Sequence, residues 1–208
     1  MKTKSIILTA LAAISVSAFA EDVNLPVADK QAGLPVMEAF ANRKSVRSFS
    51  DKQLSEQQLS NLLWAAMGQN RSNGKLTAPS CLNYQEIRLY VFDKNGVSEY
   101  IPANHSLRNV VKGDYRSLVA GAQDFAKSAP VCLVMIADMS KYGNLDERSK
   151  MFASVDAGIV SQNISLACAG LGFATVPRGT MQSDEIIKLL GLSLQFIPII
   201  NNPVGFEK

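Results

Sequence analysis

The chain has 208 residues, 21 basic against 18 acidic, a single histidine and three cysteines, and 47% of it is hydrophobic. Such a chain is long and apolar enough for one sizeable core, which excludes a disordered or fibrous protein, and a formal charge of only +3 leaves no electrostatic footprint for nucleic acid. Cys81, Cys132 and Cys168 are too few for a disulfide framework; each sits in an apolar or small-residue stretch where buried free thiols are common, and one bridge among them stays open.

The chain opens with Lys2 and Lys4, an apolar run from Ile6 to Val16, and Ala18-Phe19-Ala20 before Glu21-Asp22. A basic n-region, an apolar h-region and a small-residue cleavage site read as a Sec-type signal peptide over residues 1–20, cleaved after Ala20. A buried N-terminal helix fits those flanks less well. The run is too short to span a bilayer comfortably, and no later segment is apolar for long enough to do so. No Cys follows the cleavage site for lipid attachment, and no twin-arginine pair stands in Met1 to Ser5. The expectation is an exported protein, periplasmic in a bacterium, with a single domain over residues 21–208. Without Lys2 and Lys4 the 21 basic residues become 19 against 18 acidic ones, close to neutrality.

Leu54-Ser55-Glu56-Gln57-Gln58-Leu59 predicts a helix start, with Ser55 as N-cap, Gln58 closing a capping box, and Leu54 and Leu59 placed as a hydrophobic staple. That helix should run to about Met67, before Gly68. Glu86 to Asp93, Val131 to Asp138 and Phe196 to Ile200 have the apolar, β-rich character of strands. Asp146 to Gly170 carries Phe152, Val155, Ile159, Asn163 and Leu166 at helical spacing, with Gly170 and Gly172 as stop signals. This longest helix has a second stripe, Ser154, Gly158, Ser161 and Ser165, whose small side chains allow another backbone to come close. Packing within the subunit and packing on a second subunit both suit it.

Several chemistries find no support. His105 would have to serve any hydrolytic relay, and Asn104-His105-Ser106 offers neither an orienting partner nor a nucleophile elbow. No Cys/His spacing resembles a zinc site, and neither a P-loop nor a G-x-G-x-x-G after a strand is present. Asp114 and Arg116 read as a local ion pair. Two clusters stand out instead. Arg43-Lys44-Ser45-Val46-Arg47 concentrates cations and a hydroxyl where a phosphate could be held. Ala78-Pro79-Ser80-Cys81-Leu82-Asn83-Tyr84-Gln85 offers neutral donors and acceptors for a ring system. Taken singly, the first is a solvated face and the second a turn; their ordered combination is what points to a site.

The run Arg43 to Phe49, a capped helix, and Ala78 to Gln85 leading into a strand resemble the nitroreductase family of FMN-dependent oxidoreductases. Gly113-Asp114-Tyr115-Arg116, Ala129-Pro130-Val131, Leu171 to Gly179 and Pro203-Val204-Gly205-Phe206 continue the resemblance in order, across nearly the whole mature chain. It implies an α+β fold, a mostly antiparallel central sheet wrapped by helices, and an obligate homodimer with FMN at the subunit interface. It also implies roles. Arg43, Lys44 and Ser45 would hold the ribityl chain and phosphate, and Arg47 the N1/O2 edge of the ring. A fixed cation at that edge favours the negative charge of reduced flavin whatever the family. Pro79, Ser80, Cys81 and Asn83 would come from the partner subunit, with Gln85 supporting that loop. Val176, Pro177, Arg178 and Gly179 would pass near the other side of the ring, and Lys208 would assist at the phosphate. Cys81 stands where the family usually has a hydroxyl or Ala. Tyr84, Tyr115 and Phe125 are candidate aromatic neighbours of the pocket, with core packing the better reading for Phe125.

By resemblance the activity is ping-pong electron or hydride transfer through bound FMN, from a reduced nicotinamide or other donor to a nitroaromatic, quinone or related small acceptor, with no protein acid or base strictly required. Reduced nicotinamides are cytoplasmic, however, so an exported flavin-binding or non-catalytic interaction module on the same scaffold stands as the alternative.

Overall fold

The computed structural model describes residues 22–143 and 145–208; the expected signal peptide lies outside the described residues. The strands are β1 (Val23–Asn24), β2 (Ile87–Phe92), β3 (Gly96–Ile101), β4 (Ser106–Lys112), β5 (Val131–Asp138), β6 (Ala174–Thr175) and β7 (Phe196–Gly205). The helices are α1 (Val36–Asn42), α2 (Glu56–Met67), α3 (Arg116–Ala120), α4 (Glu147–Leu171) and α5 (Ser183–Leu189). All strands join one antiparallel sheet of order β1-β4-β3-β2-β5-β7-β6. The fold is α+β, as the sequence predicts.

The sheet has a core on each face, and the side-chain alternation of its middle strands divides them. From β5, Leu133, Met135 and Ala137 join one core with α2 and α4, while Cys132, Val134 and Ile136 join the other with Val119 of α3 and Ile186 of α5. β2 divides the same way, Leu89 and Val91 against Tyr90 and Phe92. Burial on both faces explains why β5 reads as an apolar run up to Asp138 and β2 as one broken only by Arg88.

The predicted capping box of α2 is present. The Gln58 backbone N–H donates to Ser55 Oγ at 3.2 Å, and the Ser55 N–H donates to Gln58 Oε1 at 2.9 Å. Ser55→Ala should therefore cost about 1 kcal/mol, read as a lower denaturant midpoint at unchanged slope. α4 begins at an Asp146 cap that accepts from the Ser149 N–H at 2.8 Å, and it ends at Gly172, whose φ of 75° is left-handed. Gly170 lies inside the helix. The stripe of α4 that meets the sheet is mainly small, Ala153, Ala157, Val160, Ile164 and Cys168, and lets the helix lie close.

The Ser/Gly stripe is split. Ser161 Oγ donates to Asn202 Oδ1 at 2.7 Å and Ser165 is buried, whereas Ser154 is exposed and a Cβ on Gly158 would meet nothing within 4 Å. Met151 and Val155 are exposed on that outer face, near the N-terminal half of α4. A second exposed apolar set, Val36, Met37 and Phe40, lies on α1, which packs at the other end of α4, where the Leu34 N–H donates to Gly170 O. Fifteen residues from Val155 to Gly170 put the two sets roughly 20 Å apart along the axis.

β7 runs past the predicted Ile200 to Gly205, through Asn201-Asn202-Pro203. Asn and Pro have low strand propensity, yet both asparagines are fully buried and their amides are satisfied by side-chain and backbone partners. All three cysteines are free thiols.

Candidate functional site

Three of the four predicted segments meet at one side of the molecule. After α1 the chain is extended. The Val46 N–H donates to Thr175 O and the Ser50 N–H to Phe206 O, each at 2.9 Å, and Phe49 bridges to Glu207. Val46 and Phe49 are buried as anchors, while Arg43, Lys44, Ser45 and Arg47 stay exposed. Lys44 Nζ pairs with Glu207 at 2.7 Å, and Lys208 follows, exposed. Arg43 and Arg47 pair with no acid among the described residues. A cavity of about 250 Å³ lies between Lys44, Val46, Glu207, the Gly172–Thr175 turn and Ser165 and Cys168 of α4.

β6 leads directly into Val176–Gly179, where burial alternates: Val176 and Arg178 face in, Pro177 and Gly179 out. Sequence reasoning placed Arg178 at the cofactor, but its guanidinium is turned into the protein. It donates to Gln123 Oε1 at 2.8 Å, Val119 O at 3.2 Å, Ala120 O at 2.8 Å and Asn201 Oδ1 at 2.9 Å, and stacks on Phe125 at 5.4 Å. What remains available to a ligand here is the outward Pro177 and Gly179, the latter with open space where a Cβ would sit.

The fourth segment, Pro79–Gln85, lies elsewhere. It forms a short 3-10 turn, Cys81–Asn83, with Leu82, Asn83 and Gln85 at φ of 50°, 58° and 49°. Three non-glycine residues in the left-handed region within four positions is a concentration of strain of the kind found at ligand sites. Ser80 Oγ accepts from the Gln85 N–H at 2.9 Å, and Gln85 Nε2 donates to Gly74 O at 3.0 Å and Asn83 Oδ1 at 3.3 Å. Gln85 thus supports the loop. The Cys81 N–H donates to Asp156 Oδ2 on α4 at 2.7 Å. Asp156 and Ser165 are nine residues apart on that helix, so about 14 Å of α4 separates this loop from the cationic segment of the same chain.

A model of the nitroreductase family matches residues 40–202. The chain belongs to the nitroreductase family. It is, as such, an oxidoreductase. A Methanocaldococcus jannaschii protein named as a nitroreductase is 29% identical over 181 residues, which cover 81% of this chain and 89% of that protein. The FMN reductase [NAD(P)H] of Bacillus subtilis strain 168 is 24% identical over 82% of this chain and 65% of its own length. Among solved structures, one described as a nitroreductase from Ralstonia eutropha JMP134 superposes with a TM-score of 0.84 at 32% identity, covering 97% of both chains.

In this nitroreductase-family chain, sequence reasoning missed a buried acid pair under the Pro79–Gln85 loop. Glu86 is fully buried, accepts from the Tyr142 hydroxyl at 3.1 Å through Oε1, and lies beside Asp156. Burial, with Asp156 as the added like charge, pushes its carboxyl up to about 7. An acid opening an apolar strand and an aspartate amid the small residues of α4 were the available signals.

Other polar groups are structural. His105 accepts or donates at 2.8 Å to both the Tyr100 hydroxyl and Ser60 Oγ, and burial lowers its pKa. Ser60 is wholly buried, so its hydroxyl is not offered to solvent as a nucleophile. The pair clamps the Pro26 carbonyl to α2, a tertiary role that Asn104-His105-Ser106 does not announce. Asp114 and Arg116 form the expected ion pair at 2.6 Å. Tyr115 and Phe125 pack into the core that contains α3 and α5, and Tyr84 stacks edge-on upon Tyr142 at 5.0 Å. Burial pushes the Cys132 thiol up to about 12 and Cys168 upward as well, which removes both as nucleophiles near neutral pH. A further cavity of about 360 Å³ lies around Trp64 and Asn163 between α1, α2 and α4, and no residue of Arg43–Arg47 lines it. No group of three metal-ligating side chains, and no helix long and apolar enough to cross a membrane, occurs among the described residues.

Proposed function

We propose that this chain binds FMN and passes electrons or hydride from a reduced nicotinamide, or another donor, to a nitroaromatic, quinone or related small acceptor. The observation that carries the reading is the meeting of Arg43–Arg47, Val176–Gly179 and the C-terminus in a member of a reductase family. The residues suit the cofactor. Arg43 and Arg47 are exposed cations without acid partners, as a phosphate and an electron-rich ring edge require. Lys44 is already neutralised by Glu207, which leaves Arg43, Ser45 and Lys208 as the stronger phosphate partners. When bound, FMN supplies the redox chemistry; the chain orients it, and Arg47 favours negative charge at its N1/O2 edge.

A homodimer completes the site. The loop Pro79–Gln85 lies near the N-terminal half of α4, and the cationic segment near its C-terminal end. A two-fold axis beside Gly158, with the two α4 helices antiparallel, brings one chain's loop to the other's cationic segment. The same operation covers Met151 and Val155 with the partner subunit's α1 face, so that two exposed apolar sets bury each other. The signal pattern of residues 1–20 supports export, with a donor other than cytoplasmic nicotinamide in the periplasm; intact mass of the secreted protein, starting at Glu21, checks it.

The visible spectrum of the purified protein, before and after anaerobic addition of reduced nicotinamide, is the direct test. Bound flavin that bleaches is expected. Flavin that stays oxidised with every donor leaves a binding module, and no flavin after incubation with FMN overturns the proposal. Arg43→Ala and Arg47→Ala should each weaken FMN binding about 10- to 100-fold, the loss of one charge-assisted contact; stoichiometric FMN at unchanged affinity in both would reject the site.

A further inference from the structure

We propose that Glu86 and Asp156 share one proton beneath the Pro79–Gln85 loop and that this proton holds the loop in its cofactor-binding shape, which makes Glu86 a positioning residue for the flavin site.

Glu86 carries an orphan atom. Glu86 is buried to 0% exposure, and its Oε2 is a buried polar atom without a partner among the described residues. Asp156, 5% exposed on α4, is the neighbouring acid whose charge acts on Glu86. No Lys or Arg pairs with either acid among the described residues, so nothing offsets two adjacent buried negative charges. A proton on Glu86 resolves both problems at once: Oε2 becomes a donor to Asp156, and the pair carries a single charge.

That pair closes a ring of contacts through the loop. Tyr84 of the loop stacks on Tyr142, Tyr142 donates to Glu86 Oε1, Glu86 meets Asp156, and Asp156 Oδ2 accepts from the Cys81 N–H of the loop. The left-handed residues Leu82, Asn83 and Gln85 lie inside this ring, whose contacts oppose their relaxation. The groups facing Glu86 are Asp156 from α4 and Tyr142 beyond the Met139–Lys141 turn. From β5, the Asp138 N–H donates to Glu86 O, while the Asp138 carboxylate is engaged with Arg88 and Ser140.

The sign follows. A glutamic acid that ionises near 4.5 when unfolded and near 7 when folded makes the folded chain the tighter proton binder. Its contribution to stability is full below about 4.5, declines as the pH rises, and is lost above about 7. Above that pH the ring holds two like charges and its grip on the loop weakens.

The inference rests on the flavin reading of the loop, and two measurements separate them. The first is FMN affinity, followed by quenching of flavin fluorescence from below to above pH 7, for the natural chain and Glu86→Gln, whose amide donates as the protonated acid does. The natural chain should lose about tenfold in affinity relative to Glu86→Gln across that range, one pKa unit of linkage; titration of the FMN phosphate is common to both and cancels. The second needs no flavin: the hydrogen-exchange protection factor of the Cys81 amide should fall with rising pH in the natural chain and stay constant in Glu86→Gln. Parallel pH profiles in both measurements overturn the inference and leave the flavin reading standing. A Cys81 effect without FMN binding at any pH rejects the flavin reading and keeps the shared proton. If Glu86→Gln does not fold, Asp156→Asn takes its place: a Glu86 protonation midpoint that stays at or above about 7 shows that Asp156 does not act on it and overturns the sharing, whereas a midpoint lowered from about 7, as removal of the Asp156 charge predicts, supports it.

Discussion

Arg178→Ala should destabilise the protein by about 3–5 kcal/mol, the range for stripping a buried, multiply bonded charged side chain of its partners. Arg178 as a residue is 6% exposed, and the acceptors of its guanidinium are neutral: two carbonyls at Val119 and Ala120 and the amide oxygens of Gln123 and Asn201. No carboxylate pairs with it among the described residues, and burial lowers its pKa. Removing the cation therefore relieves a desolvation cost, which keeps the effect below the sum of its bonds. It leaves the α3 carbonyls and Asn201 without a donor in a dry interior, which sets the size of the loss. Asn201 also donates to Arg178 O and Thr180 O, so the damage spreads to the strand-like pairing of residues 178 and 201. Arg178→Lys should recover less than half, because a point charge replaces a planar fork. Urea denaturation reads the effect; a shift below 1 kcal/mol for Arg178→Ala would show that the network repacks and contributes little. The same variants should weaken FMN through displaced Val176–Gly179 backbone while Arg43 and Arg47 remain intact.

Arg178 also marks where sequence reading stops. Its neighbours Val176, Pro177 and Gly179 entered through the family resemblance as a segment near the flavin ring, and the Val46–Thr175 hydrogen bond draws the strand that leads into them toward the cationic run. The direction of the side chain was not legible, because it depends on Gln123 and Asn201, far away in the chain. Strands β2 and β5 were plain because both of their faces are buried, and α2 and α4 because their caps are local chemistry. β7 was cut short at Ile200, since Asn201-Asn202-Pro203 is a turn by propensity and a strand only by virtue of tertiary partners that satisfy both amides. The short α1, β1, β6 and the β3–β4 hairpin carry too little periodicity to be read. On α4 the helical spacing was legible but not which face is buried: Phe152 and Ile159 pack on the core beside the buried Ala153, Ala157, Val160 and Ile164, and Val155 stays outside. An exposed Val155 beside a small-residue face has a use when a second helix must approach.

Val155→Asp should convert the protein to a monomer and lower its FMN affinity by at least about 100-fold. Val155 is 53% exposed and sits one turn from Gly158, whose open surround admits a second helix. At an isologous contact the substitution enters twice, near the axis, so two unpaired carboxylates would be buried close to one another. Residue 155 lies ten residues of α4 from Ser165 beside the cationic segment of its own chain, about 15 Å along the helix. Flavin lost on this substitution must therefore be lost through the partner's loop, which is the distinctive consequence of a site divided between subunits. Leu194→Asp is the control: Leu194 is 97% exposed just before β7, away from α4, and its substitution should leave both mass and flavin unchanged. Light scattering and flavin absorbance on the same samples decide the matter. A monomer that keeps FMN at the natural affinity would mean that one chain holds the cofactor unaided, and that Pro79–Gln85 is strained for some other reason. A Val155→Asp dimer with its flavin would place the two-fold axis elsewhere and leave the outer face of α4 without a partner.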